Sequence, residues 1–210
     1  WTASEQVGFT PLLFAMGAGA AAFSRFRAAV FTEGPADMIL LPKLLTEAND
    51  VSALGYQVVP GLSNLPPERL HEADYAAARV AYLLDGDAGG DNLRAHLRDA
   101  GIPGDRVFAL RAGWAVEDLV DPDHYLKAVN TVLADAGKTI RVQRADVDSQ
   151  TSVGVPISKA VTDHLGSDTP GKTIVASRLV ENDEPTPLAD GAEAALRDLH
   201  RSFVALLDLT

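Results

Sequence analysis

Cysteine is absent from the 210 residues of this chain, which excludes disulfide bridges and thiolate metal centres. An apolar run of the roughly 18 residues that a membrane-spanning helix needs is also absent. Residues 9–23 come nearest, but they are rich in Gly and Ala and lack the cleavage-site pattern of a signal peptide. We therefore expect a protein of a reducing compartment, the cytoplasm, without a membrane partner.

Positive charge is scarce, because 18 Lys and Arg residues stand against 29 Asp and Glu residues and the net charge is −11. Proteins that hold DNA through their own surface usually carry a basic excess. If nucleic acid is the partner, bound metal ions or another domain must supply positive charge. The chain begins with Trp1 rather than Met, and we expect it to be part of a longer protein.

The chain does have an ordinary globular composition, with 47% hydrophobic and 22% charged residues. Short apolar runs alternate in it with segments of helical periodicity. The runs are 27–32, 55–59, 80–84 and 106–110. This alternation predicts an α/β fold with a parallel sheet flanked by helices. In such sheets, functional groups collect at the carboxyl ends of the strands.

The alternation ends near residue 137, and we expect three parts. They are a helical lead-in at 1–26, an α/β catalytic domain at 27–137 and a small C-terminal helical appendage at 138–210. In the last part, helical patterns cover 156–165, 172–180 and 190–207, and 138–142 could form one more strand.

Acidic side chains follow three of the four apolar runs. They are Glu33 and Asp37 after the first run, Asp85 and Asp87 after the third, and Glu117 and Asp118 beyond the fourth. Two carboxylates about 4 Å apart repel by about 4 kcal/mol at an effective dielectric constant of about 20, so converging acids must take up protons or bind cations. Oxygen donors without Cys or His favour Mg²⁺, Mn²⁺ or Ca²⁺. In the plainer interpretation, Asp-x-Asp is a solvated turn, and Asp37 and Glu117 are helix-start acids.

These motifs resemble the Toprim domain shared by topoisomerases, bacterial primases, RecR-type proteins and OLD (overcoming lysogenization defect) family nucleases. The resemblance covers residues 27–136 and rests on Glu33-Gly34 and on Asp85-Gly86-Asp87. The acid four residues after Glu33, the Leu-Leu-Pro that follows and the Glu-Asp pair at 117–118 are most similar to OLD-family ATP-dependent endonucleases.

The resemblance implies a Rossmann-like Toprim sheet that carries a two-metal DNA endonuclease or nickase site. It implies three catalytic residues, Glu33, Asp85 and Lys172, with Lys159 as the alternative lysine. The implied metal ligands are Glu33, Asp37, Asp85, Asp87, Glu117 and Asp118. The metal would be Mg²⁺ or Mn²⁺, with Ca²⁺ bound non-productively. The implied partners are DNA, the ATPase domain of a parent protein and a second copy of the chain, and the implied roles are phage defence or DNA repair.

Two other functions stay open. One is a Toprim-fold module for binding or assembly in DNA repair, without strong catalysis. The other is a phosphatase similar to haloacid dehalogenases with Asp85 as the nucleophile, although Gly89 replaces the usual Thr or Val. Residues 166–173 match the P-loop pattern, but a predicted helix precedes them where a P-loop needs a strand, and Pro170 removes a backbone N–H. We therefore expect a loop between helices there.

Overall fold

The computed structural model describes residues 28–70, 79–181 and 184–209. In that part of the chain the strands are β1 (Ala28–Phe31), β2 (Gln57–Val59), β3 (Arg79–Leu84) and β4 (Val107–Ala109). The α-helices there are α1 (Pro35–Asn49), α2 (Ala88–Asp99), α3 (Pro122–Asp135), α4 (Arg144–Thr151), α5 (Ile157–Leu165), α6 (Lys172–Val180) and α7 (Ala192–Leu206). The lead-in predicted at 1–26 lies outside the described residues. No helix within those ranges is long and apolar enough to cross a membrane.

The four strands form one parallel sheet in the order β2-β1-β3-β4. Strands β1 and β3 are central neighbours, and Phe31 pairs with Tyr82 toward their carboxyl ends. β1 is buried throughout and β3 from its second residue onward, which is why both read as unbroken apolar runs. The α/β prediction is confirmed, and the residues that follow β1 and β3 lie side by side at one edge of the sheet.

Alternate residues of the central strands point to opposite faces of the sheet. Val30 and Leu83 belong to the core that the sheet shares with α1, α3 and the C-terminal helices. Phe31 and Tyr82 belong to a second core that includes Leu93 of α2, and their rings stack 6.0 Å apart. Helices therefore cover both faces, as predicted.

The C-terminal helices pack along α1 on one face of the sheet. Leu179 of α6 and Phe203 of α7 lie in the same buried core as Leu40 and Leu41 of α1. The helices expected at 156–165, 172–180 and 190–207 are present as α5, α6 and α7. The division of the chain at residue 137 stays a prediction.

The structure differs from the sequence predictions on either side of residue 143. Residues 138–142 form no strand. The backbone N–H and C=O of Val142 instead bond the side-chain amide of Asn130 on α3, both at 2.8 Å, which satisfies these groups without a sheet. Helix α4 was not predicted, because Val147 is its only buried residue and its apolar periodicity is correspondingly weak.

Candidate acidic active site

Two carboxylates stand where the central strands end. Glu33 follows β1 and Asp85 follows β3, and the backbone N–H of Asp85 donates to Oε1 of Glu33 at 2.9 Å. This bond spans neighbouring strands and fixes the Glu33 side chain over the edge of the sheet. Ser63 lies on the other side, where its hydroxyl donates to the Glu33 carbonyl at 2.6 Å. The parallel pairing of β1 and β3 thus places the two acids that the motifs singled out in direct contact.

Two further acids stand in the first turns of helices. Asp37, which is only 7% exposed, accepts a bond of 2.9 Å from the backbone N–H of Gly34 at the start of α1. Asp87 is the N-cap of α2 and accepts a bond of 3.0 Å from the N–H of Gly90. Negative charge is favourable at both places because of the helix dipole. The helix-start role is therefore present in the structure alongside the proximity of Asp37 to Glu33.

The third pair of acids comes from a 3₁₀ turn at Val116–Leu119. Glu117 is 4% exposed, and its carboxylate accepts a long bond of 3.4 Å from the Ser158 hydroxyl. Both oxygens of Asp118 accept backbone N–H bonds, from Ala115 at 2.9 Å and from Ile157 at 3.0 Å. Asp118 therefore anchors the start of α5, while Glu117 keeps more of its acceptor capacity.

A lysine faces these acids. Lys172 is the first residue of α6, and its ammonium lies 3.7 Å from the Glu117 carboxylate. The side chain is 56% exposed, so water screens the attraction. Lys159 pairs instead with Asp163 at 3.2 Å, one turn along α5. Of the two lysines considered from the sequence, Lys172 is the one beside the acids. Helix α5 directly precedes residues 166–173, where a P-loop would need a strand, as expected if the match to the P-loop pattern is a coincidence.

The pKa values of the acids show that they share one environment. Burial, followed by the charges of Asp37 and Glu33, raises the pKa of Asp85 to about 9. Burial raises the pKa of Asp37 to about 7, and the charges of Glu117 and Glu33 add to it. Burial also raises the pKa of Glu33, in part offset by the N–H of Asp85. Since like charges disfavour ionisation, these acids are close enough to repel one another.

Burial lowers the pKa of Lys172, but the charges of Glu117 and Asp85 outweigh it and the net shift is upward. Lys172 therefore stays protonated near neutral pH. A cluster of several acids and one ammonium ion has a deficit of positive charge, which protons or a metal cation can make up.

The donors fit a hard divalent cation, since all of them are oxygens and several are carboxylates. As the side chains stand, however, residues 28–70, 79–181 and 184–209 contain no group of three or more His, Asp or Glu side chains arranged to hold a metal ion. Chemistry and charge therefore suit Mg²⁺ or Mn²⁺, whereas the side chains do not already surround a coordination centre. The predicted ligand set stays a prediction.

Comparisons with known proteins give structural relatives only. No family model matches the chain, and no curated protein matches it. The C-terminal region of the Burkholderia pseudomallei OLD protein is similar at a TM-score of 0.49 and 16% identity, covering 88% of this chain and 100% of that one. Two structures of the C-terminal region of the Xanthomonas campestris pv. campestris OLD protein are also similar. One has a TM-score of 0.49, 14% identity and coverage of 89% and 97%; the other has 0.45, 13%, and 86% and 98%.

Each of these similarities has a TM-score below 0.5 and an identity of 16% or less, and the chemistry of the site rests on the side chains described above.

The sequence analysis did not predict that the loop at residues 111–114 contacts the turn that carries Asp85 and Asp87. The N–H of Gly86 donates to the Trp114 carbonyl at 2.7 Å, and the N–H of Gly113 donates to the Gly86 carbonyl at 2.6 Å. A Cβ on Gly86 would lie 1.9 Å from the Arg111 carbonyl oxygen, so only glycine fits there. The Gly-Trp pair at 113–114 was the available signal, but partners across the sheet edge cannot be read from one segment.

Proposed function

We propose that this chain is a divalent-metal-dependent DNA endonuclease or nickase domain, with Mg²⁺ or Mn²⁺ as its cofactor. One observation carries the proposal. Acids from the end of β1, the end of β3 and the start of α1 share one environment at the carboxyl edge of a parallel sheet, where the N–H of Asp85 donates to Glu33 and Lys172 stands beside Glu117 of the 3₁₀ turn. This combination of oxygen donors and a cation suits the hydrolysis of a phosphodiester.

Glu33, Asp37, Asp85 and Glu117 would hold the metal. Asp87 would join them from the start of α2. Asp118 would contribute mainly by orienting the 3₁₀ turn, since both of its oxygens already accept backbone bonds. When bound, a divalent cation lowers the pKa of an attacking water and neutralises phosphate charge.

The protein's own groups have distinct parts in this reaction. Glu33, fixed by the N–H of Asp85 and with a raised pKa, is suited to hold or release a proton. The ammonium group of Lys172 is suited to stabilise the negative charge that develops on the phosphate in the transition state. Asp37 is buried and accepts the N–H of Gly34, which keeps the Glu33-Gly34 turn in place.

The proposed partners follow from the chain's charge. With a net charge of −11, the isolated domain has little long-range attraction for DNA. We therefore propose that the ATPase domain of a longer protein, or a second copy of this chain, adds to the grip on DNA. Roles in phage defence or DNA repair are part of the same proposal.

Nicking of supercoiled plasmid tests the proposal. The native chain is expected to nick in Mg²⁺ or Mn²⁺ and not in EDTA. Glu33→Gln and Asp85→Asn should each lower the rate by at least about 10²-fold, since each removes a charge on which the reaction depends. Glu193→Gln and Asp198→Asn are matched controls on α7, where both acids are exposed and pair with arginines.

Two other outcomes would replace the proposal. Hydrolysis of p-nitrophenyl phosphate without nicking, lost in Asp85→Asn, would favour the phosphatase. DNA binding that is unchanged by both substitutions, with no cleavage in either metal, would favour a module for binding or assembly. Equal nicking by the native chain and both variants would contradict the nuclease assignment altogether.

A further inference from the structure

Two cavities share one arginine, and the first of them lies beside the acidic site. The first has a volume of about 440 Å³ and is lined in part by Arg111, Trp114 and Arg144. The second has a volume of about 540 Å³ and lies against α3, lined in part by Lys127, Arg141 and again Arg144. Arg144 lines both cavities, and we call the two together the arginine groove.

The arginine groove adjoins the acids of the candidate active site. Asp118 lines its first cavity, directly beside Glu117 in the chain. The carbonyl of Trp114 and the N–H of Gly113 bond Gly86, which lies between Asp85 and Asp87. A molecule bound at the acids could therefore continue into the groove over a rigid loop.

The charge of the groove differs from that of the chain as a whole. Four cations and three acids line it, whereas acids outnumber cations by 29 to 18 in the sequence. All three acids are engaged: Asp118 accepts two backbone N–H bonds, and Arg144 pairs with Asp148 at 2.6 Å and with Asp123 at 3.9 Å. The second cavity is the more positive one, because Asp123 is the one acid that lines it.

An aromatic ring and a guanidinium group lie together at the end of the groove nearest the acids. The guanidinium carbon of Arg111 stands 5.3 Å from the centre of the Trp114 ring. Arg111 is exposed, and within the described ranges it has no acidic partner. Unpaired nucleobases stack on such planar groups, whereas a paired base in a duplex offers no free face.

We propose that the arginine groove binds a single-stranded segment of the nucleic-acid substrate as it leaves the acidic site. An unpaired base stacks at Arg111 and Trp114, and the phosphates that follow lie along Arg141 and Lys127. This proposal rests on the proposed function, since it names the substrate form that the same site receives. It also accounts for how an acidic chain holds a polyanion, through a local gathering of cations.

The binding test uses the intact chain in EDTA, so that cleavage does not interfere. Fluorescence anisotropy of a dye-labelled oligothymidylate of about twelve nucleotides measures the affinity. The double variant Lys127→Gln/Arg141→Gln should bind about tenfold more weakly. The slope of the logarithm of its binding constant against the logarithm of the salt concentration should be shallower by about 0.7 for each phosphate that the variant no longer neutralises. Arg201→Gln is the matched control, because that side chain is 77% exposed on α7.

The stacking test uses the fluorescence of Trp114. Trp1 and Trp114 are the tryptophans of the chain, so a Trp1→Phe background leaves Trp114 as the reporter. The oligonucleotide should quench this fluorescence, and a blunt duplex of the same length should quench it much less. In the same background, Arg111→Gln should reduce both the quenching and the affinity, by about threefold or more for the affinity.

The outcomes separate this proposal from the nuclease assignment. Weaker oligonucleotide binding by Lys127→Gln/Arg141→Gln and by Arg111→Gln supports the binding role of the arginine groove, even if the native chain does not nick plasmid. Native affinity and native nicking in Lys127→Gln/Arg141→Gln and in Arg111→Gln would overturn the groove and leave the nuclease standing. Undetectable oligonucleotide binding by the native chain would also overturn it, and equal quenching by duplex would overturn the stacking of an unpaired base.

Discussion

Asp85 is a residue of the proposed active site whose ionisation opposes folding. Its side chain is half-buried next to Asp37 and Glu33, and its pKa is raised to about 9. Its usual value is 3.8, so between these values the folded state favours the protonated form and ionisation opposes folding. An acid whose ionisation opposes folding is typical of sites where a bound ligand supplies the missing positive charge.

We predict that Asp85→Asn makes the metal-free protein more stable at pH 8, by about 1–2 kcal/mol, while nicking is lost. The reason is that the amide keeps the shape of the carboxyl group and is uncharged without the uptake of a proton on folding. Urea denaturation at pH 8 in EDTA measures the free energy of unfolding. Asp99→Asn is the control, because Asp99 has a 70% exposed side chain and should change little. A less stable Asp85→Asn protein would contradict the electrostatic account.

The two lysines named from the sequence give a second prediction at this scale. Lys172→Gln should lower the nicking rate by about 10²-fold or more, because its ammonium lies at the acids. Lys159→Gln should leave the rate unchanged, since Lys159 pairs with Asp163 on the surface of α5. Initial rates on supercoiled plasmid under identical metal concentrations provide the comparison. The reverse ranking would show that Lys159 is the assisting lysine.

At the scale of elements, the turn that joins β3 to α2 determines the positions of Asp85 and Asp87. Gly86 lies against the Arg111 carbonyl, and Gly90 lies against the Asp85 carbonyl, where an added Cβ would come within 2.0 Å. Both contacts are with backbone atoms, which cannot rotate away as a side chain would. The turn therefore holds Asp85 and Asp87 at fixed positions relative to the loop that carries Trp114.

We predict that Gly86→Ala destabilises the protein by about 2 kcal/mol or more and also lowers nicking, because the strand end must separate from the 111–114 loop. Thermal unfolding followed by circular dichroism measures the first effect. Gly104→Ala is a matched control, since a Cβ there meets nothing within 4 Å. A Gly86→Ala protein as stable as the Gly104→Ala protein would show that this loop contact is not tight.

At the scale of the molecule, the acids make stability depend on pH in one direction. The pKa values of Asp118, Asp37 and Asp85 are raised to about 6, 7 and 9. Raised values in acids mean that stability is fully present below their usual pKa of 3.8 and is lost as pH rises through the folded-state values. The metal-free protein should therefore become less stable between about pH 4 and pH 9.

We predict that Mg²⁺ raises the melting temperature more at pH 8 than at pH 6, because more of the carboxylates are then ionised and available as ligands. At a concentration about 100 times the dissociation constant, binding stabilises by about 2.7 kcal/mol, or several degrees for a chain of this size. Scanning fluorimetry at both pH values measures the shift. Asp85→Asn should show a smaller gain, and an equal gain at both pH values in the native chain would contradict the prediction.

The sequence predicted the sheet and the acids for different physical reasons. β1 and β3 could be predicted from the sequence because strands buried on both faces need unbroken apolar runs. Glu33 and Asp85 were readable because such strands place their carboxyl ends together. The helix α4 and the bonds of Val142 to Asn130 were not readable, because a short exposed helix and a side-chain bond leave little periodicity.

By itself, therefore, the sequence determined the class of the fold, the strands that carry the acids and the oxygen-only character of the site, because these follow from local composition and order. Only the tertiary structure decided which of the candidate residues lie beside one another. It tied Asp85 to Glu33, bound both oxygens of Asp118 to backbone N–H groups and set Lys172 rather than Lys159 beside Glu117. These relations join segments far apart in the chain. They depend on the pairing of β1 with β3, on the contact of α5 with the 3₁₀ turn and on the packing of α6 against α1 and α3.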